Sequence, residues 1–193
     1  MGKATGPRYT VPFKRRRRNL TNYRKRLALL KSTKPRMVVR KSNRNILVQF
    51  VNYSEKGDTT VAAAHSNELK KFGWQSRGNT PTAYLTALLA GKRAKGKKVT
   101  EFVVDIGLAT PSKGALVFSA VKGAIDSGLK TKYEKEMLDA GRIRGEHIAK
   151  YAKSLKGKPE YEKIFSSYLK DNIAPESIPE IFDKVREAVL NSG

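Results

Sequence analysis

The chain contains no cysteine, so disulfides and thiolate-bound metals are excluded. It has only two histidines, His65 and His147, and a zinc site would need carboxylates to complete it. No run approaches the roughly 18 consecutive apolar residues of a membrane-spanning helix, and the first residues hold no apolar signal core. A cytosolic protein without a membrane partner is therefore expected. Negative charge is scarce: 17 Asp+Glu stand against 40 Lys+Arg, a formal net charge of +23. Residues 1–54 contain no acid at all, and Glu55 is the first.

What is present follows from that imbalance. The acid-free first 54 residues carry 16 basic side chains, residues 55–153 carry 18 basic and 10 acidic, and residues 154–193 carry 6 and 7. Self-repulsion of this size opposes compaction unless a polyanion neutralises it. The chain has a polyanion-facing end and an ordinary end, and 193 residues suffice for one compact domain with appendages. Arginine forks pair bidentately with phosphate, and Tyr9, Phe13 and Tyr23 are interleaved with them as stacking surfaces for unpaired bases.

The apolar pattern divides the chain into a basic arm and helix (1–34), an α/β core (35–130) and a helical C-terminal region (131–193). Residues 1–14 have no period and read as an extended arm. A helix is expected from Arg15 to about Lys31, with Leu20, Tyr23, Leu27 and Leu30 as a narrow docking stripe. Met37-Val38-Val39-Arg40 and Ile46-Leu47-Val48-Gln49-Phe50-Val51 predict two strands around a turn at Ser42-Asn43-Arg44-Asn45, and a third strand follows Gly57-Asp58 and ends at His65. Thr80-Pro81 reads as an N-cap and first helical position. Residues 92–98 read as a basic loop, 102–106 as a short buried strand, and Leu116, Ala120, Val121 and Ala124 as the next helix. This order predicts a mixed sheet covered by helices. In the tail, Ile143, His147, Tyr151 and Leu155 form one stripe, and Tyr161, Ile164, Phe165 and Tyr168 another. Ser177-Ile178-Pro179-Glu180 reads as a capping box before Ile181, Phe182, Val185 and Val189.

Catalytic patterns are weak. Gly91-Lys92-Arg93-Ala94-Lys95-Gly96-Lys97-Lys98 nearly spells a phosphate-binding loop, but Lys98 stands where a hydroxyl must reach magnesium, and the context is helix to strand. No nucleophile elbow occurs. Asp105, at the end of a predicted strand, has the placement of a nuclease carboxylate, yet Glu68, Glu101 and Asp126 show no spacing that would complete a metal cluster. Its expected role is to accept backbone N–H bonds from the following turn. No cofactor, metal or small-molecule substrate is expected. A metal-dependent nuclease and an unselective polycation are the alternatives to a structural RNA-binding protein.

Arg15-Arg16-Arg17-Arg18, Tyr23-Arg24-Lys25-Arg26-Leu27, Lys34-Pro35-Arg36, Arg40-Lys41-Ser42-Asn43-Arg44-Asn45-Ile46 and Gln49 come in a familiar order. Gly57-Asp58-Thr59, Ala62-Ala63-Ala64-His65-Ser66, Gly78-Asn79-Thr80-Pro81-Thr82-Ala83-Tyr84, Asp105-Ile106-Gly107 and Lys122-Gly123-Ala124 continue it. Together they resemble the large-subunit ribosomal proteins that bind 5S rRNA, the universal L18 family. The resemblance spans about residues 5–155. Gly6-Pro7-Arg8-Tyr9 and Arg142-Ile143-Arg144-Gly145-Glu146 resemble its archaeal and eukaryotic branch, the archaeal form fitting best. The resemblance implies a ribonuclease-H-like α/β domain of the kind found in translation components, without nuclease activity. It also implies contacts with 5S rRNA, 23S rRNA and neighbouring proteins of the central protuberance. Arg8, Tyr9, Arg15, Arg16, Arg17, Arg18, Tyr23, Arg24, Lys25 and Arg26 would lie along RNA. Arg36, Arg40, Lys41, Ser42, Asn43, Arg44 and Asn45 would meet 5S rRNA from the hairpin, and Arg142 and Arg144 would add to the RNA surface.

Overall fold

The structure is a computed structural model that describes residues 6–7, 9–133 and 139–192. Its centre is a sheet of four strands, β1 (Arg36–Lys41), β2 (Ile46–Asn52), β3 (Thr59–His65) and β4 (Val103–Asp105), in the order β3-β2-β1-β4. The first three strands form an antiparallel meander, and β4 joins β1 in parallel. The mixed sheet expected from the strand, helix, strand pattern is the one observed. Alternation fixes which face is core: Met37, Val39, Ile46, Val48, Phe50, Ala62 and Ala64 are all buried in one cluster.

The crossover helix α3 (Thr80–Gly96) packs on that face and is buried almost all round, between the sheet on one side and α4 (Leu116–Asp126) and α8 (Ile178–Asn191) on others. An apolar helix with no solvated face belongs in a core. Its start is capped by Asn79, whose side-chain oxygen accepts the Thr82 N–H at 3.1 Å. Thr80 is thus the first helical residue and Pro81 the second, so the helix begins one residue earlier than the sequence suggested.

The expected loop at 92–98 is instead the last turns of α3 as far as Gly96. Gly91 does not break this helix; it lets α4 approach. A Cβ on Gly91 would lie 2.1 Å from Ser127 Oγ, and one on Gly123 would lie 2.2 Å from the Tyr84 carbonyl oxygen. The same helix guards the exposed edge of β3. Arg93 donates to the Ala63 carbonyl at 2.8 Å and Lys97 to the Val61 carbonyl at 2.6 Å, occupying groups a foreign strand would otherwise pair with.

The tail is helical, as expected: α5 (Ala140–Arg144), α6 (Glu146–Leu155), α7 (Pro159–Lys170) and α8. Helix α8 joins the main core through Ile178, Phe182, Val185 and Val189. Phe182 meets the rings of Tyr84 at 5.3 Å and Trp74 at 6.2 Å. Lys92 donates to the carbonyls of Val189 and Leu190, closing the C-terminal end of α8 with a cation. Helices α6 and α7 build a small satellite cluster around Ala152, Leu155 and Phe165.

Two details of the tail differ from expectation. The chain reverses at Gly145, with φ +86°, so the period starting at Ile143 does not continue. His147 and Tyr151 face solvent while Ala149, Ala152 and Leu155 are buried, and Ile164 is likewise exposed. The Ser177 capping box does not form. A short 3-10 turn, Pro175–Ser177, runs directly into α8, and the Ser177 hydroxyl donates back to the Ala174 carbonyl. A reciprocal box occurs at His65, whose ring nitrogen accepts the Asn67 N–H while Glu68 accepts the His65 N–H. No helix among the described residues is long and apolar enough to cross a membrane.

Replacing Gly123 by alanine forces α3 and α4 apart against backbone atoms. Overpacking of this kind costs about 2–3 kcal/mol. The expected result is a melting midpoint lowered by roughly 5–10 °C, measured by circular dichroism.

Candidate nucleic-acid interface

The second face of the sheet carries Arg36, Val38 and Arg40 from β1 and Gln49 and Val51 from β2. Among the described residues it is covered by the N-terminal segment, with the Asp58 turn and the loop after β4 at the rim. That segment is not one helix. It forms α1 (Lys14–Arg17) and α2 (Tyr23–Leu30), separated by a turn. Asn19 takes the left-handed conformation at φ +51°, and Asn22 caps α2 by accepting the Lys25 N–H at 3.1 Å. Asparagine suits both positions, and its side chain competes with helix continuation. The break rotates the expected docking stripe. Leu20, Tyr23 and Leu27 are exposed, while Arg26, Leu29 and Leu30 are the partly covered residues of α2.

Between α2 and the sheet lies an open cleft of about 580 Å³. Arg15 enters it from α1 and Lys25 from α2, Arg36 and Arg40 from β1, Asp58 from the turn before β3 and Asp105 from the end of β4. Arg36 is only 3% exposed. Its guanidinium donates to Asp105 at 2.8 Å and to Asp58 at 2.5 Å, and the same Asp58 oxygen accepts from Arg26 at 2.8 Å. Arg36, expected to meet RNA, is therefore a buried structural cation. A lone guanidinium there would be far too costly, and two carboxylates compensate it. Asp105 also accepts the Gly107 N–H at 2.9 Å, the turn role expected of it. Both its oxygens are thus engaged, and no group of three or more His, Asp or Glu suited to a metal occurs among the described residues.

The hairpin turn at residues 42–45 is braced from two sides. The Ser42 N–H donates to the Asn45 carbonyl at 2.8 Å, and the Asn45 N–H returns to Ser42 Oγ at 3.0 Å. Behind the turn, Ser66 Oγ accepts the Ile46 N–H at 2.9 Å and lies 2.6 Å from Ser76 Oγ. Ser76 Oγ in turn sits 3.0 Å from both the Arg44 carbonyl and Asn45 Oδ1. Gly78 lets this loop press close, since a Cβ there would stand 2.8 Å from the carbonyl oxygens of Ser42 and Asn43. Sequence reasoning did not assign Ser66, Ser76 and Gly78 this role. The signal available was a cluster of small residues on either side of Trp74.

The expected site residues fall into four groups. Arg15, Arg16, Arg17, Arg18, Arg24, Lys25, Arg40, Lys41, Arg44 and Arg142 have no acidic partner among the described residues, and all are exposed. Tyr9 and Tyr23 are exposed, with Tyr23 and Phe13 in a tilted aromatic pair at 5.4 Å. Ser42, Asn43 and Asn45 form the hairpin tip. Arg26, Arg36 and Arg144 are spent on protein carboxylates, Arg144 on Asp183 and Glu146. Arg8 lies outside the described residues.

The comparisons with known proteins agree with one another. The family described as "Ribosomal large subunit proteins 60S L5, and 50S L18" matches residues 7–102, which include the arm, the meander and α3. The large ribosomal subunit protein uL18 of the archaeon Thermofilum pendens is 52% identical over 190 residues, covering 96% of this chain and 97% of its own. The chain belongs to the uL18 family. It is accordingly a structural protein of the large ribosomal subunit, a family whose members are not enzymes.

Gly78→Ala is expected to push the braced turn away from its support. The cost should be about 1–3 kcal/mol, with NMR shifts concentrated at the amides of residues 42–45 and 76–79.

Proposed function

We propose that this uL18-family chain binds 5S rRNA through the arm, α1, α2 and the hairpin tip, and helps attach it to 23S rRNA in the central protuberance. The carrying observation is the concentration of cations without acids: residues 1–54 hold 16 Lys+Arg and no Asp or Glu. Beyond residue 54 all 17 acids of the chain are interspersed with the bases, and Arg77, Arg93, Lys122 and Arg144 are among those that find a carboxylate. Along the arm and hairpin, Arg15 to Arg18, Arg24, Lys25, Arg40, Lys41 and Arg44 have none among the described residues. A polyanion supplies the missing counter-charge, and a rigid turn lets it be met in one register.

Side chains at the hairpin tip supply more than charge. Asn43 and Asn45 offer donors and acceptors for base edges or 2′-hydroxyls, and exposed Tyr9, Phe13 and Tyr23 offer rings for unpaired bases. The near-neutral tail, with exposed Tyr151 and Ile164, suits contacts with neighbouring ribosomal proteins better than contacts with RNA. The protein would act in the cytoplasm, within the ribosome, without cofactor.

Replacing Arg40, Lys41 and Arg44 together is expected to weaken 5S rRNA binding by tenfold or more, about 1.4 kcal/mol. It should also lower the slope of log affinity against log salt by roughly 2, the loss of two to three phosphate contacts. Filter binding at several salt concentrations measures both. Wild-type affinity in the triple variant would remove the hairpin from the interface.

A further inference from the structure

Helix α2 presents a packing problem. Neither α1 nor α2 contains a buried residue, and Leu20, Tyr23 and Leu27 point to solvent. Only Leu29, Leu30 and the stem of Arg26 give α2 a partly covered face. An eight-residue helix is too short to be stable by itself. Apolar burial this thin does not account for one fixed position over the sheet.

The polar contact that supplies it comes from Asp58. This is the second acid in the chain, and it lies 32 residues beyond Arg26 in a turn after the meander's second strand. One Asp58 oxygen accepts from Arg26 on α2 and from Arg36 in the sheet. Arg36 is itself fixed by Asp105 at the end of β4. Asp58 is thus a carboxylate held from below by a buried cation and offered upward to the helix. Its side chain is one-quarter exposed, and that of Arg36 is 4% exposed, so the pair lies where water screens it poorly.

We propose that Asp58 is a positioning residue for RNA binding: it tethers α2 through Arg26 and so aims the unpaired cations Arg24 and Lys25 of that helix. The tether rests on the RNA-binding reading above for its purpose, but not for its existence. Arg26 then serves as the helix end of the tether, and phosphate is met by its neighbours. An acid at the rim of a cationic cleft opposes RNA by charge alone. Its removal should tighten binding if charge were its whole effect, and the tether predicts the opposite sign.

The test uses the full-length protein. In Asp58→Asn, backbone order parameters of Tyr23–Leu30 should fall from near 0.85 to below about 0.6, while those of α3 stay unchanged. Affinity for 5S rRNA should drop at least fivefold although the net charge rises by one, and Asp58→Glu should recover most of it. If Asp58→Asn fails to fold, Arg26→Met carries the test. It leaves the Asp58, Arg36 and Asp105 set intact and should loosen the same eight amides. Unchanged order in α2, or 5S rRNA affinity equal to or tighter than wild type in Asp58→Asn, overturns the proposal. If the wild type itself does not bind 5S rRNA, the RNA reading falls, and the order parameters alone decide whether the tether exists.

Discussion

The ion-pair set centred on Arg36 is the constraint on which the rest of the structure depends. Its guanidinium joins the first strand of the meander to the end of β4 through Asp105, and to the turn before β3 through Asp58. Asp58 extends the set to α2 through Arg26. The parallel pairing of β1 with β4, the position of the cleft and the seat of the arm therefore share one buried cation. Removing either carboxylate would leave that cation partly uncompensated, a defect costing several kcal/mol in buried pairs elsewhere.

Around this point the protein separates two uses of positive charge. Several cations within the fold hold it together: Arg93 pairs with Glu68 at the β3 edge, Arg77 with Asp171 and over the Tyr168 ring, and Arg144 with Asp183 on α8. Most cations on the arm and hairpin have no carboxylate among the described residues, Arg26, Lys34 and Arg36 excepted, and the acid-free stretch of 54 residues keeps acids out of their sequence neighbourhood. Such a surface repels itself in the free protein and gains when phosphates arrive. The brace of Ser66, Ser76 and Gly78 behind the hairpin gives one part of that surface a fixed shape before any RNA is met. That makes shape recognition, as well as charge, physically available.

Much of this was legible in the sequence, and what was not has identifiable causes. The meander was readable because β-branched runs alternated about a Ser-Asn-Arg-Asn turn, and the crossover because Asn79-Thr80-Pro81 opened a long apolar helix. The glycines at 91 and 96 misled, since glycine reads equally as a helix breaker and as a site of close helix approach, and only the partner helix distinguishes them. Residues 15–31 read as one helix because their apolar spacing survives the break at Asn19, whereas capping chemistry at Asn19 and Asn22 does not show in a period. Arg36 reads as a surface cation, although period two places it with Val38 on a face that the N-terminal helices cover and Asp58 and Asp105 rim. Its burial depends on Asp58 and Asp105, 22 and 69 residues away, and no local pattern announces such partners.

The central claim is that RNA is recognised by a shaped cationic surface and not merely attracted to an excess of charge. The most direct measurement is a competition between 5S rRNA and an unrelated structured RNA of the same length, titrated with salt. The account predicts a preference for 5S rRNA of tenfold or more, about 1.4 kcal/mol, that persists as salt rises and total affinity falls. Equal binding of the two RNAs, fading in parallel with salt, would contradict it.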